Sequence, residues 1–444
     1  MGLYNSHVYY KTIQDADGIK KCVPRTRYRK FPPHLQKTSG SLIMEFQALP
    51  QGAYHVVIPD EAYWWIDAQF LPHNDCTLFT SCGAYILRGA TRAWVPVPHF
   101  PNGRICRFDL DKKRLKCEVF KQTGSSSLPK VQPHPDGQYI GYLGNGEVKI
   151  DTIEHVNVYR RAKDLNNANF KFCAFSPDGR YMAVVCRSSM SFELHISNTD
   201  LGFSSLEHVV SLRKMCKDFK GTIAFNEMVE CKWTPDSKYI LVSSSMGHIL
   251  VIFCPGLELV CSVFDDILPG NALSQVGAFD CNPRSCHEVL AFGSDDHKVF
   301  VVNITSKEVL YESQSFGVDP IDCVQFTPSG HSVAIALRSY KILIFDAHQG
   351  NTLFQIDMKD ICSSIKDSPP GYPGVLRLSF SSTGQEMTIS TCDGFVRIWQ
   401  LPMEINLQNL CKLALLSLVP AIKLQALPLP QRLISQLLSI PEML

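Results

Sequence analysis

The stretch Phe175-Ser176-Pro177-Asp178-Gly179, followed by the apolar run from Tyr181 to Cys186, decides the fold of this chain. Proline presets φ for the second position of a tight turn, and aspartate bonds to the backbone nearby. Glycine accepts the positive φ that the end of such a turn requires. The apolar residues on both sides therefore predict the two strands of a hairpin.

The same arrangement recurs along the chain. Clear copies begin at Trp233-Thr234-Pro235-Asp236, Phe326-Thr327-Pro328-Ser329-Gly330 and Phe380-Ser381-Ser382-Thr383-Gly384, and poorer copies surround His134-Pro135-Asp136-Gly137, Asn282-Pro283 and Leu71-Pro72-His73. The turns lie at positions 72, 135, 177, 235, 283, 328 and 382, which are 42 to 63 residues apart. Several short strands in each period of this length predict a β-propeller of seven blades.

The strands and the connections between them support this interpretation. Val299 to Val302 and Ile342 to Phe345 are nearly continuous apolar runs, as expected for strands that neighbouring blades cover on both faces. The last copy supplies three strands, so a strand from the N-terminal part must close the ring, either Ser41 to Gln47 or Tyr54 to Pro59. Ser188 to Ser205 is expected to be a surface loop between strands.

The recurring unit resembles a degenerate WD repeat. The last copy ends in Trp399-Gln400, and the copy before it ends in Phe345-Asp346, where the family usually has Trp-Asp. The resemblance implies an all-β, WD-repeat-like propeller over residues 41–402.

Residues 1–40 differ from the repeats and are expected to form a basic N-terminal arm. Its charges are Lys20, Lys21, Arg25, Arg27, Arg29 and Lys30, and prolines interrupt them. We interpret this stretch as a solvated arm on the propeller. Nuclear import or an acidic partner is the alternative.

Composition restricts the function classes. The chain of 444 residues is 45% hydrophobic and 19% charged, and its net charge of +1 gives no reason to expect a nucleic acid or membrane partner. The first twenty residues lack an apolar signal region, and no run of eighteen apolar residues occurs. The 17 cysteines are therefore expected to be reduced, mostly buried thiols. This predicts a cytoplasmic protein, with a nuclear pool as an addition.

We find no pattern that predicts chemistry, and expect neither an enzyme nor a cofactor. Nucleophile elbows, phosphate-binding loops and zinc-protease helices do not occur in the sequence. Cys281-x-x-x-x-Cys286-His287 lacks the second ligand pair that a zinc site requires, so no metal is predicted. Tyr159-Arg160-Arg161-Ala162 lacks the glycine of the Phe-Arg-Arg-Gly motif of phosphoinositide-binding propellers. Adjacent strand residues point to opposite faces, so Trp64 or Trp65 should lie in the core.

The tail from Leu401 to Leu444 is almost uncharged. Asn406 can cap a helix that ends before Pro420. An apolar stripe follows the helical spacing at Leu407, Leu410, Cys411, Ala414, Leu415 and Leu418. Leu427-Pro428-Leu429-Pro430 should be extended, and a second short helix should follow Pro430. A helix of this length is marginal in water, so the tail must pack on its own domain or on a partner.

Leu407-x-x-x-Cys411-x-x-x-Leu415 followed by Leu427-Pro428-Leu429-Pro430 resembles a SOCS box, an α-helical segment of about forty residues. The resemblance assigns residues 403–444 to this box and implies partners for its two halves. Leu407, Leu410, Cys411 and Leu415 would bind elongin C, with elongin B attached. Leu427, Pro428, Leu429 and Pro430 would face cullin 5 and its RING subunit. The family prefers Ser, Thr or Pro at the position of Asn406, which serves equally well as a cap.

A propeller followed by a SOCS box matches the WD-repeat and SOCS-box proteins. The resemblance implies a non-catalytic substrate-recognition subunit of an elongin–cullin–RING ubiquitin ligase, with the propeller binding a protein substrate. The alternative is a scaffold whose C-terminal helices pack on the propeller. Docking to the cullin 4 adaptor is less favoured, because Trp399-Gln400-Leu401-Pro402 lacks the arginine of the Trp-Asp-x-Arg ending.

Overall fold

In the computed structural model, the described part of the chain is all-β apart from three helices of four residues each. The chain separates into two units, Met1–Gln400 and Leu401–Leu444. Leu401 is the last residue described. The structure describes residues 4–14, 20–30, 41–49, 62–88, 93–97, 103–110, 115–122, 130–144, 147–153, 160–161, 169–187, 192–199, 206–215, 228–244, 248–254, 256–268, 276–285, 288–294, 296–347, 350, 352–362, 365 and 373–401.

The strands group into seven sheets. A hairpin of β1 (Tyr4–Gln14) and β2 (Lys20–Lys30) precedes β3 (Ser41–Gln47). Blade 1 contains β4 (Tyr63–Leu71), β5 (Asn74–Arg88), β6 (Ala93–Pro96), β7 (Arg104–Asp109) and β8 (Lys116–Gln122). Blade 2 contains β9 (Val131–Pro133), β10 (Tyr139–Gly144), β11 (Glu147–Thr152) and β12 (Arg160–Arg161). Blade 3 contains β13 (Asn169–Phe175), β14 (Tyr181–Arg187), β15 (Phe192–Asn198) and β16 (Leu206–Ser211), and helix α1 (Leu212–Met215) follows it.

The second half of the ring follows the same order. Blade 4 contains β17 (Met228–Trp233), β18 (Tyr239–Ser244), β19 (Ile249–Phe253) and β20 (Glu258–Ser262), followed by helix α2 (Val263–Asp266). Blade 5 contains β21 (Val276–Cys281), β22 (Val289–Ser294), β23 (Val299–Asn303) and β24 (Glu308–Glu312). Blade 6 contains β25 (Ile321–Phe326), β26 (Ser332–Leu337), β27 (Lys341–Asp346) and β28 (Thr352–Asp357), followed by helix α3 (Met358–Ile361). Blade 7 contains β29 (Val375–Phe380), β30 (Glu386–Thr391), β31 (Phe395–Gln400) and, from the N-terminal side, β3.

The first strand of each blade lies innermost. β4, β9, β13, β17, β21, β25 and β29 each contact the next in this order, and β29 contacts β4. The ring is therefore a seven-bladed β-propeller, which confirms the predicted propeller and its blade number. All seven predicted turns join the first and second strands of a blade, from Pro72 between β4 and β5 to Ser382 between β29 and β30.

The turn of the deciding stretch has the predicted geometry. Gly179 adopts a φ of 73°, and its amide donates to the carbonyl of Ser176 at 2.9 Å. The Asp178 carboxylate accepts a hydrogen bond from the amide of Arg180 at 3.0 Å. A Cβ at Gly179 would come within 2.8 Å of the ring of His134 in the preceding blade. Glycine is thus required both for the backbone and for the approach of the neighbouring blade.

β3 closes the ring. It pairs antiparallel with β31, placing Leu42 opposite Trp399 and Phe46 opposite Val396. This confirms Ser41 to Gln47 as the closing strand, whereas Tyr54 to Pro59 lies outside the described residues. β1 pairs in parallel with β3 at Ser6 and His7, so the sheet of blade 7 has six strands. The stretch expected to be an arm therefore contains a hairpin that extends this sheet.

One local prediction was wrong. Ser188 to Ser205, expected to be a loop, contains β15, which pairs with β14 along its whole length. Phe192, Leu194 and Ile196 alternate with polar residues, and all three are buried in the core between blades 3 and 4. The alternation of apolar and polar residues covers only seven positions, and the serines and asparagine in and around it are typical of loops, so the pattern did not predict a strand.

Hydrophobic clusters lie between adjacent blades. Between blades 7 and 1, the ring of Phe46 lies 4.6 Å from that of Phe108. The cysteines whose side chains the structure describes are free, and Cys76 alone among these is exposed, in agreement with the prediction of mostly buried thiols. Within the described residues, no helix has the length and hydrophobicity to cross a membrane.

Candidate interaction site in the central channel

Charged side chains line a cavity of about 260 Å³ at the centre of the ring. They come from the innermost strands of blades 1, 4, 6 and 7 and from the residue before the innermost strand of blade 2. The charged lining includes Asp67, Lys130, Glu230, Lys232, Asp322 and Arg377. All of these except Lys130 lie in strands whose other residues are mostly apolar, and the innermost strands place them around one axis.

An ion pair crosses the channel. Nη1 of Arg377 in blade 7 lies 2.8 Å from Oε1 of Glu230 in blade 4. Lys232 lies 3.7 Å from the same carboxylate and 3.0 Å from Asp280 in blade 5. Burial alone would raise the pKa of Glu230, but Lys232, Arg377 and Lys130 together hold it below its ordinary value. Glu230 is therefore ionised, and its charge is shared among cations from three blades.

Three aspartates of innermost strands each connect their own blade to the blade that follows it. Asp67 of β4 accepts a hydrogen bond from the amide of Val131 in blade 2 at 3.0 Å. Asp280 of β21 accepts from the amide of Phe326 in blade 6 at 2.8 Å. These carboxylates satisfy backbone donors on the channel side, which would otherwise be buried without a partner.

Asp322 of β25 makes the third connection. Its carboxylate accepts from the amides of Gly374 at 2.6 Å and Val375 at 3.2 Å, both in blade 7, and pairs with Arg338 at 3.2 Å. Burial raises the pKa of Asp322 to about 6, against the opposing effects of Arg338 and of the two amides. Its protonation state therefore changes closer to neutral pH than that of an ordinary aspartate.

The cavity also contains groups suited to binding a polypeptide. The Lys130 ammonium lies 4.0 Å from the centre of the Phe172 ring, and burial lowers its pKa. Trp65 and Arg338 are half-buried and line the same cavity. Cys323 contributes a thiol to the lining of the cavity, and burial raises the pKa of this thiol. No histidine is among the lining residues that the structure describes. The arrangement favours recognition rather than nucleophilic chemistry.

The residues singled out from the sequence lie in three places. Trp64 packs against the core between blades 7 and 1, whereas Trp65 lines the channel cavity. Arg160 and Arg161 form β12, the outermost strand of blade 2. The predicted partner-binding residues of the tail lie outside the described residues, and their roles stay predictions: Leu407, Leu410, Cys411, Leu415, Leu427, Pro428, Leu429 and Pro430.

The channel charges were missed by the sequence analysis. Their signal is a lone acidic or basic residue inside an apolar strand that precedes a propeller turn, as in Val276–Cys281, where Asp280 stands among apolar neighbours. The signal became visible only once the first strand of every blade was known to face one channel.

Comparisons with known proteins agree with this fold. Residues 285–366, a range that includes strands β22 to β28 of blades 5 and 6, match the Anaphase-promoting complex subunit 4 WD40 domain. The protein named WD repeat and SOCS box-containing protein 1, from Takifugu rubripes, is 40% identical over 62 residues. That match spans 14% of this chain and 14% of the relative. The seven-bladed ring and these two matches show that the chain is similar to WD-repeat proteins.

Proposed function

We propose that this chain is the substrate-recognition subunit of an elongin B/C–cullin 5–RING ubiquitin ligase. Its propeller holds a protein substrate, and the segment 403–444 recruits the ligase core. The chain transfers no ubiquitin itself. It acts by proximity, because tethering a substrate beside a charged conjugating enzyme raises the effective concentration of the reacting groups.

The observation that carries the proposal is a seven-bladed propeller followed in sequence by Leu407-x-x-x-Cys411-x-x-x-Leu415 and Leu427-Pro428-Leu429-Pro430. The relative from Takifugu rubripes supports it, since its name joins the same two modules. In the proposed assembly, Leu407, Leu410, Cys411 and Leu415 bind elongin C, and the proline-rich motif binds cullin 5.

The charged channel is the proposed place for the substrate. It offers Lys130 and Arg338 to acidic groups, and Trp65 to an apolar or cationic side chain. Cations and anions alternate around the cavity, so a segment of mixed charge fits better than a strongly acidic or basic one.

A pull-down tests the recruitment of the ligase core. The full-length chain should retain elongin B, elongin C and cullin 5, and the Leu407→Ala/Cys411→Ala variant should lose all three. A matched control replaces the same residue types on the propeller surface, Leu353→Ala/Cys76→Ala, because Leu353 is 52% exposed and Cys76 is exposed. The control should bind like the wild type.

A second variant separates the two halves of the tail. Pro428→Ala/Pro430→Ala should keep elongin B and C and lose cullin 5, since only the cullin-facing motif is changed. Absence of elongin from the wild-type pull-down would overturn the proposal, and the chain would then be a scaffold whose tail packs on its own propeller.

A further inference from the structure

Three side chains that can bind a metal ion converge in blade 3, away from the channel. Cys186 ends the apolar run of β14, and Glu193 and His195 lie on β15. The ladder places Cys186 opposite Glu193, and Val184 opposite His195. Opposed residues of an antiparallel pair share a face, and so do residues two apart on a strand. The three side chains therefore lie on one face of the hairpin.

That face packs against blade 2. Val184 and Cys186 belong to a core cluster that also contains Leu143, Val148 and Ile150 of β10 and β11. Cys186 is 1% exposed and His195 is 3% exposed. The Glu193 side chain is 29% exposed, so the group is closed on two sides and reaches solvent at the carboxylate.

The donor atoms have the spacing of metal ligands. Sγ of Cys186 lies 3.2 Å from Nε2 of His195, and Oε2 of Glu193 lies 3.2 Å from the same nitrogen. All three donor atoms lie within 4.8 Å of one another. Around a tetrahedral zinc ion with its usual bond lengths, neighbouring donors are about 3.3–3.6 Å apart. The two separations from Nε2 are close to that range before any adjustment of the side chains, and the third, between Sγ and the carboxylate, is within 4.8 Å.

Hydrogen bonding alone does not satisfy this group. A single ring nitrogen carries either a hydrogen or a lone pair, so Nε2 cannot both donate to Glu193 and accept from the Cys186 thiol. Nδ1 of His195 is buried and has no hydrogen-bond partner among the described residues, so only the contacts of Nε2 bear on the tautomer. A cation would contact the lone pair of Nε2, the thiolate and the carboxylate together.

A catalytic triad does not fit the same residues. In a triad the nucleophile and the carboxylate contact opposite nitrogens of the imidazole ring. Here the thiol and the carboxylate both contact Nε2, and the thiol is buried from any substrate.

We propose that Cys186, Glu193 and His195 form a zinc-binding site between blades 2 and 3. Thiolate, imidazole and carboxylate are the donors that Zn²⁺ takes in proteins, whereas Ca²⁺ and Mg²⁺ take oxygen. One thiolate and one carboxylate balance the double charge of the ion, which reduces the penalty of burying it. The exposed side of Glu193 leaves the fourth position for water. The bound ion connects β14 to β15 near the connection between them.

Cobalt titration of the metal-stripped full-length chain tests the site. Co²⁺ should bind at one equivalent and give a thiolate-to-metal charge-transfer band, and Zn²⁺ should displace it. Cys186→Ser should lose the band, and His195→Gln should lose binding. Glu193→Gln should weaken Co²⁺ binding by at least about tenfold, since even outer-shell partners contribute that much.

Cys173→Ser is the matched control, because Cys173 is 3% exposed and lies in the same core cluster but outside the group of donors. It should bind Co²⁺ like the wild type. The proposal is overturned if the wild type gives no band, if the band persists in Cys186→Ser, or if Cys173→Ser loses it equally. Should Cys186→Ser not fold, the partly exposed Glu193→Gln decides.

Discussion

Arg397 is the most completely buried cation among the described residues. It is 0% exposed, and its Nη2 lies 2.9 Å from Glu45 of β3 and 2.6 Å from Asp393. Its Nη1 donates to the hydroxyl of Thr391. Because Glu45 lies on the closing strand, the ion pair joins the two ends of the propeller chain within one blade.

We expect Arg397→Met to destabilise the protein by about 3–5 kcal/mol, because Glu45 and Asp393 would remain buried without their cation. The free energy of unfolding in urea measures this. Arg397→Met/Glu45→Met should reduce the free energy of unfolding less than Arg397→Met alone, since Glu45 is then no longer a buried charge without a partner. A double variant that costs as much as the sum of the two single variants would contradict the account.

Asp322 predicts a pH dependence. Its pKa rises from an ordinary 3.8 to about 6 in the folded protein. Between these values the folded chain keeps a proton that the unfolded chain releases, so the contribution of Asp322 to stability falls as pH rises from about 4 to 6. Between these pH values, the free energy of unfolding of the wild type should fall by on the order of 1–3 kcal/mol relative to that of Asp322→Asn. Urea unfolding of both proteins at several pH values measures it, and a difference that is independent of pH would refute it.

At the scale of the element, β3 determines whether the ring closes. Phe46 is 0% exposed, and its ring contacts Phe108 in blade 1. We expect Phe46→Ala to lower the free energy of unfolding by about 3–5 kcal/mol, the usual range when a buried phenylalanine is truncated to alanine. Amide exchange should accelerate first along β3 and β31.

The control for the closing strand is Leu353→Ala on β28, which removes an apolar side chain that is 52% exposed. Its effect should stay within about 0.5 kcal/mol. If both variants lost the same stability, or if exchange in β31 were unchanged in Phe46→Ala, β3 would not be the element that holds blade 7 together.

Elements whose formation depends on neighbouring residues were predicted from the sequence better than elements that depend on distant ones. All seven turns were found, because residues such as Pro177 and Gly179 act on their own backbone. β3 was one of two candidates, since strand pairing with β31 depends on residues far away in the chain. β15 was missed because its alternation of apolar and polar residues covers only seven positions. The contact between Cys186 and His195 could not be predicted either, because it depends on the pairing of β14 with β15.

At the scale of the whole molecule, the channel depends on ring geometry that no local pattern encodes. Glu230 and Arg377 are 147 positions apart, and their contact follows only from the placement of blades 4 and 7 across one axis. The charges of the innermost strands are therefore visible in the sequence, but no prediction was drawn from them.

A double-mutant cycle measures this contact across the ring. Arg377→Met leaves Glu230 and Asp67 without their guanidinium partner, so it should destabilise strongly, and Glu230→Gln in the same background should cost little more. We expect a coupling free energy of about 1–3 kcal/mol, as for residues in one network. Arg377→Met with Glu193→Gln, which is in another blade, should be additive. Additivity in the first pair would contradict a direct contact.

The pairing of β3 with β31 also affects how the protein is made. Glu45 and Arg397 are 352 positions apart, so the last sheet cannot form until β31 has left the ribosome. Bringing such distant segments together costs loop-closure entropy and slows folding. Until then, β31 presents an open edge to other chains. We therefore expect newly made chains to depend on chaperones until the ring closes, with aggregation competing most strongly at this late step.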